Sequence, residues 1–275
     1  MRTALTIAGS DSSGGAGIQA DLKTFAAFGL YGASAITAVT AQSTKGIEAM
    51  VALEADFVTA QIEAVAGDFT IDATKIGMLA NAAIVEAVAA AIAELDLALV
   101  VLDPVLVSSS GERLLDEDGV RALCAELLPL ARVVTPNIPE AEALSGRRIE
   151  SMDDAREAAR RIQDMGAAAV IVTGGHAEAA EPRRRQPPAP SPFVIDLLFD
   201  GHAFHELRVP RVASRHTHGT GCTFASAVAA GLALGRELAD AAARAQQYVA
   251  GAIAHAPGIG HGRGPLDHFW ERRSG

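Results

Sequence analysis

The stretch His216 to Ala230, HTHGTGCTFASAVAA, joins a glycine-bearing turn directly to a run of small helix formers. Gly219 and Gly221 can take backbone angles closed to other residues and put no side chain in the way, so successive amide N–H groups can converge on one anion. Thr220 to Thr223 then reads as a first helical turn, whose orphan donors and positive macrodipole end favour a phosphate. Cys222 lies inside that turn, where the same field stabilises a thiolate and suits the residue to accept a proton or to steady a reacting oxygen. A buried cysteine on a small-residue helix packed against a sheet fits the same residues. The glycines alone do not decide between the two.

Acids recur where apolar runs end. Asp103 follows LALVVL and precedes Pro104; a carboxylate there suits magnesium held partly through water, and a turn-initiating Asp-Pro is equally compatible. In TPNIPEAEAL, Pro136 and Pro139 frame Asn137 and put Glu140 in the first turn of a short helix. Another apolar run, Ala168 to Val172, delivers Thr173-Gly174-Gly175-His176. Near the start, Gly15-x-Gly17-x-x-Ala20 formally matches a dinucleotide fingerprint, but the next strand runs into Thr40-Ala41-Gln42 without the acid such a site needs. No GxxxxGK[ST] is present, so a Walker phosphate loop is excluded. Asp11 and Asp21 lie in or just beyond this glycine loop, placed either to hold a small substrate or to serve as an N-cap and a first-turn acid.

The elements that must position these residues alternate. Strands are predicted at Thr3 to Ile7, Ala33 to Val39, Ile47 to Leu53, Ala73 to Ile76, Leu97 to Leu102, Arg132 to Thr135 and Ala168 to Val172. Helices are predicted at Ile18 to Phe28, Asp56 to Val65, Asn81 to Leu95, Asp116 to Leu128 (with Cys124 on its core face) and Asp153 to Met165. That order predicts an α/β fold with a parallel sheet covered on both faces, in which ligands lie beyond the carboxyl ends of the strands. Residues 177–192, rich in proline, arginine and charge, read as an exposed insertion. Val194 to Phe199 and Ala203 to Val209 flank Asp200-Gly201, a hairpin signal. A last helix, Leu238 to His255, precedes the tail PGIGHGRGPLDHFW, read as a strap over the core with histidines at the surface.

The 275 residues are 49% hydrophobic and only 4% aromatic, enough for a large core filled by Ala, Val, Leu and Ile. A net charge of −10 without a basic stripe argues against a nucleic-acid partner. Cys124 and Cys222, far apart and with no CxxC, offer neither a disulfide framework nor a zinc site. No apolar run approaches a membrane span and the first run is too short for a signal segment, so no membrane partner is expected and the location read from the chain is cytoplasmic.

AGSDSSGGAGIQADLKTF near the start, KIGML at Lys75 to Leu79, LDPVLV at Leu102 to Val107, TPNIPEAEAL and HGTGCTFASAVAAGLALG together resemble the hydroxymethylpyrimidine/phosphomethylpyrimidine kinase family of thiamine synthesis, within the ribokinase-like superfamily. The blocks occur in order over nearly the whole chain. The resemblance implies a single three-layer α/β/α domain over residues 1–275 with a mostly parallel sheet, and a homodimer. It implies ATP and Mg²⁺, and phosphorylation of 4-amino-5-hydroxymethyl-2-methylpyrimidine and then of its monophosphate. On this resemblance Gly9, Asp21, Gln42, Met78 and Val105 hold the pyrimidine. Asp103 and Glu140 fall at the metal, Asn137, Thr173 and Thr220 on the nucleotide side, and Gly219, Gly221 and Cys222 at the anion hole.

The chain departs from the family in two places. Thr173 stands where a lysine commonly precedes GGH, so a cation is missing; an arginine of the nearby insertion or another metal arrangement could replace it, and otherwise a slower kinase or an altered second phosphorylation follows. The proline-rich insertion replaces a short connection. Two other functions stay open: a pyridoxal/pyridoxine kinase on the same scaffold, since that substrate also carries a hydroxymethyl group on a flat heteroaromatic ring, and a pyrimidine-binding module with weak kinase activity, motivated by Thr173.

Overall fold

A computed structural model describes residues 1–108, 111–174 and 191–273. In chain order the strands are β1 (Thr3–Asp11), β2 (Tyr31–Ser43), β3 (Gly46–Ala52), β4 (Ala73–Ile76), β5 (Val100–Leu102), β6 (Val133–Val134), β7 (Val170–Val172), β8 (Phe193–Phe199) and β9 (Phe204–Pro210). The helices are α1 (Gly17–Ala27), α2 (Ala55–Ala66), α3 (Ala82–Glu94), α4 (Glu117–Ala122), α5 (Ile138–Ser145), α6 (Met152–Asp164), α7 (Thr220–Ala233), α8 (Leu238–Ala254) and α9 (Trp270–Arg273). One sheet runs β3-β2-β1-β4-β5-β6-β7-β8-β9. The strands from β2 to β7 pair in parallel, while β3 pairs antiparallel to β2 at one edge and, at the other, β8 pairs antiparallel to β7 and β9 to β8.

Buried strand runs such as Ala73–Ile76 and Val100–Leu102 face a core on each side, as parallel strands covered by helices must. One core packs α2, α3 and α6 on Leu5, Ile7, Ile76, Leu102, Val134 and Val172. The other packs α1, α7 and α8 on Ala4, Ala73, Val101, Val133 and Ile171. Alternate residues of one strand thus feed opposite cores, which makes the three-layer α/β/α sandwich of a ribokinase-like fold.

Several boundaries differ from the sequence expectation for local reasons. β1 continues past Gly9 to Asp11 through a register shift between Ala8 and Ser10, so the glycine is a bulge and not a strand end. β2 extends to Ser43 because its second half pairs with β3 from Ala38–Ala52 to Ser43–Gly46. Leu99 takes φ 47, which keeps it out of extended structure and shortens β5. The helix expected through Leu128 is α-helical only to Ala122, then winds as a π turn over Leu123–Leu127 and a 3₁₀ turn over Leu128–Leu130, where Pro129 lacks the N–H to continue. The tail does cover the core, but His268 is buried, with its Nε2 3.0 Å from Thr223 Oγ1. The expectation of surface histidines fails there because the ring supports the first turn of α7, and burial pushes it down to about 4. The expected insertion at 177–192 lies outside the described residues up to Pro190.

Candidate active site

A cleft of about 250 Å³ opens at the carboxyl ends of β1, β2, β4, β5 and β6. Gly219 caps α7 with φ 83, a conformation that glycine adopts without strain. A side chain there would also run into the carbonyl of Gly15, so the turn before α7 lies directly against the glycine loop after β1. The first amides of α7, including Gly221 and Cys222, have no acceptor within the helix, and Gly219, Thr220, Gly221 and Cys222 all line the cleft. Thr220 Oγ1 donates to Thr217 O at 2.8 Å and tightens the turn.

Asp103 follows β5 and reaches the same space: a Cβ added at Gly221 would lie 4.0 Å from Asp103 Oδ1. Its Oδ2 is buried and accepts no hydrogen bond, with Lys75 Nζ 3.6 Å away. Burial raises the Asp103 carboxyl above the ordinary carboxylate range, opposed by Lys75 and reinforced by Asp21. Glu140 lines the cleft from α5, where it and Asn137 form a capping box. Asn137 N donates to Glu140 Oε2 at 2.9 Å, and Glu140 N donates to Asn137 Oδ1 at 3.0 Å. Burial, then the charge of Asp103, pushes Glu140 up to about 8. An acid that gives up hydration without gaining a full cation partner in the protein is suited to one arriving from solution.

Gly9, Gln42, Met78 and Val105 line the other end of the cleft. A side chain at Gly9 would overlap the Met78 methyl, so the absence of one there is what lets Met78 pack over the strand. Thr40 Oγ1 donates to Ser10 O at 2.9 Å and lies 3.0 Å from Gln42 Oε1, which holds the Gln42 amide at the hairpin end of β2. Thr173 joins Asn137 on the opposite wall, its N–H donating to Pro136 O at 2.8 Å.

Two expectations from the sequence need correction. Asp21 is not a wall of the cleft: it is fully buried on α1, accepting from Thr6 Oγ1 at 2.6 Å, Ser226 Oγ at 2.7 Å and Lys75 Nζ at 3.1 Å. Both oxygens are spent on protein donors. Cys222 is not a thiolate. Although it keeps some surface in the cleft, burial pushes the thiol up to about 12, opposed by the charge of Lys75 and reinforced more weakly by Asp103 and Asp21. Burial disfavours the charged form, and the helix field on which the sequence expectation rested does not prevent the rise.

Lys75 and His218 are cleft residues that sequence reasoning left without a role. Lys75 is a charged residue inside the buried strand ATKI, held protonated despite burial because the carboxylates of Asp21 and Asp103 stand beside it. A lone lysine in an apolar strand just before a glycine was the available signal. His218 Nε2 lies 2.8 Å from Asp11 Oδ2.

The mostly parallel sheet, with a helix N-terminus and acids facing one cleft, defines a ribokinase-like protein. The phosphomethylpyrimidine kinase family model matches residues 11–267. The chain is 45% identical to the hydroxymethylpyrimidine/phosphomethylpyrimidine kinase of Bacillus subtilis, covering 98% of this chain and 96% of that one. It is 47% identical to the thiamine biosynthesis bifunctional protein ThiED of Geobacter sulfurreducens over 96% of its own length, and spans 52% of that longer protein. A solved pyridoxal kinase of Bacillus subtilis with ADP superposes at a TM-score of 0.87 with 36% identity, covering 99% of each chain. A phosphomethylpyrimidine kinase of Clostridium difficile gives 0.77 with 38% identity, over 90% of this chain and 98% of that one. The chain belongs to the phosphomethylpyrimidine kinase family.

Proposed function

We propose that this cleft transfers the γ-phosphoryl group of ATP to the hydroxymethyl oxygen of 4-amino-5-hydroxymethyl-2-methylpyrimidine, and then a second phosphoryl group to the monophosphate. The chain is a kinase of thiamine biosynthesis, and the observation that carries the site assignment is the closeness of Gly221 to Asp103. It brings the first turn of α7 beside the Asp103 carboxylate, which supports reading the amides of that turn as anion donors and Asp103 as the acid for the metal.

The pyrimidine lies between Met78, Gly9, Val105 and the Gln42 amide, with its hydroxymethyl group toward Cys222. The amides of Gly219, Gly221 and Cys222 receive the transferred phosphoryl group, where fixed donors cost no reorganisation. Asn137, Thr173 and Thr220 border the nucleotide. Asp103 and Glu140 fit Mg²⁺: both offer hard oxygens, one of them a buried Oδ2 with no hydrogen bond. The described residues contain no cluster of three or more candidate ligands, and Mg²⁺ needs only one or two carboxylates alongside phosphates and water. When bound, Mg²⁺ neutralises charge on the nucleotide phosphates. Cys222 contributes its neutral S–H as oxyanion support. In a loose transition state the hydroxymethyl proton leaves late, so no strong base is required at the start.

Incubating the purified protein with ATP, Mg²⁺ and the pyrimidine should yield the monophosphate and then the pyrophosphate by mass spectrometry, and absence of any phosphorylated product rules the reading out. The likeness to pyridoxal kinases at a TM-score of 0.87 supports a second reading on the same chemistry. Competition between equal concentrations of pyridoxal and the pyrimidine separates the two.

The single domain over residues 1–275 is part of this reading, as is a homodimer. The homodimer is supported by the β2–β3 ribbon, where the paired residues Val39 and Val51 stand 46% and 65% exposed at a sheet edge. Light scattering after size exclusion tests it. No described helix is long and apolar enough to cross a membrane, and with two free cysteines we infer a cytoplasmic enzyme.

A further inference from the structure

Two glycine turns meet at the mouth of the cleft through side chains that the phosphoryl-transfer scheme does not use. Asp11, the last residue of β1, accepts from the N–H groups of Ser13 (2.8 Å), Gly15 (3.1 Å) and Ala16 (2.8 Å) and from Ser13 Oγ (2.8 Å). Three amide donors of SDSSGGAG are therefore turned inward onto a carboxylate. The same carboxylate takes His218 Nε2 at 2.8 Å from the turn that precedes α7.

His218 is 5% exposed and fixed on its backbone side, its N–H donating to Gly264 O at 3.2 Å. Its ring fills the space that a side chain at Gly15 would need. On its chain neighbour Gly219, a side chain would overlap Gly15 O. The two turns thus pack against each other in both directions. The His218 ring also lies 3.4 Å from Gln42 Nε2, at the pyrimidine end of the cleft. One imidazole thus touches the glycine loop and the substrate wall and is covalently next to the anion hole.

We propose that Asp11 and His218 form a positioning latch for phosphoryl transfer, setting the separation between the pyrimidine wall at Gln42 and the amide donors of Gly219, Gly221 and Cys222. The inference rests on the kinase reading and deepens it. Neither residue contacts the reacting atoms; both act through Gly219. A shift of about 1 Å in reacting groups costs on the order of 100-fold in rate, so loosening the latch lowers kcat and leaves nucleotide binding largely intact.

The test is steady-state kinetics of the full chain with the pyrimidine, ATP and Mg²⁺, on Asp11→Asn, His218→Ala, their combination, and His218→Gln, with thermal melts of each. Asp11→Asn and His218→Ala are each expected to lower kcat about 10- to 100-fold with KM for ATP within about twofold. The double variant should be no worse than the poorer single one, because both remove the same contact. His218→Gln, which keeps an N–H able to reach Asp11, should recover most of the lost kcat. Wild-type kcat in the single variants, additive losses, or no recovery by glutamine would overturn the latch. If His218→Ala melts below the assay temperature, Asp11→Asn against His218→Gln makes the same comparison. A wild-type protein without product removes the kinase reading itself; an active wild type with unimpaired variants removes the latch alone.

Discussion

Lys75 Nζ stands 3.1 Å from Asp21 Oδ1 with both side chains fully buried, and Asp103 Oδ2 lies 3.6 Å beyond it. One ammonium therefore balances two acids at the floor of the cleft. Replacing it with methionine leaves a buried carboxylate uncompensated, and breaking such a pair costs about 3–5 kcal/mol. Urea denaturation of Lys75→Met should register that loss. A change smaller than about 1 kcal/mol would mean the pair is screened as at a surface.

Cys222 should behave as a thiol, not a thiolate. With its ionisation pushed up to about 12, alkylation by iodoacetamide at neutral pH should be far slower than for a free cysteine, and should accelerate only in strong base. Cys222→Ala should lower kcat by about 10- to 100-fold through lost oxyanion support. Fast alkylation at pH 7 would restore the thiolate role.

Glu140 sets a pH dependence whose sign follows from its raised ionisation, near 8 against an ordinary 4.5. Between those values the folded metal-free protein binds more protons than the unfolded chain, so this group's contribution to stability falls as pH rises through that window. Mg²⁺ must displace the proton. Its affinity, measured by calorimetry, should therefore rise with pH up to about 8 and then level off, with protons released on binding. Glu140→Gln should flatten the profile, and a wild-type affinity independent of pH across that range would contradict the assignment.

Thr173 lies beside Asn137 on the cleft wall and brings no charge. Thr173→Lys should raise kcat roughly 10-fold by adding a cation where phosphate charge develops. A rate unchanged or lowered in steady-state assays would mean that the transferred group is already neutralised by other residues.

The α/β layering was legible because buried parallel strands read as short apolar runs between amphipathic helices, as at Ala73 to Ile76 and Leu97 to Leu102. The anion turn, Asp103 and the Asn137–Glu140 cap were legible for the same reason: each ends a strand or begins a helix, and ends are marked by glycine, proline and acid. Asp21 and Cys222 were misjudged because their behaviour depends on partners distant in sequence. Asp21 meets Ser226, 205 residues away, and Cys222 sits in the fields of Asp103 and Lys75. Local sequence reports the helix field on Cys222 but not the burial that raises its ionisation. His218 escaped notice because its partner Asp11 lies 207 residues earlier, across a contact that only folding creates.

A crystal structure with the pyrimidine monophosphate and a non-hydrolysable nucleotide bears most directly on the phosphoryl site. The phosphate oxygens should lie about 3 Å from the amide nitrogens of Gly221 and Cys222, on the side of the cleft that holds Asp103. A phosphate bound at the glycine loop after β1, or turned away from Asp103, would contradict the account.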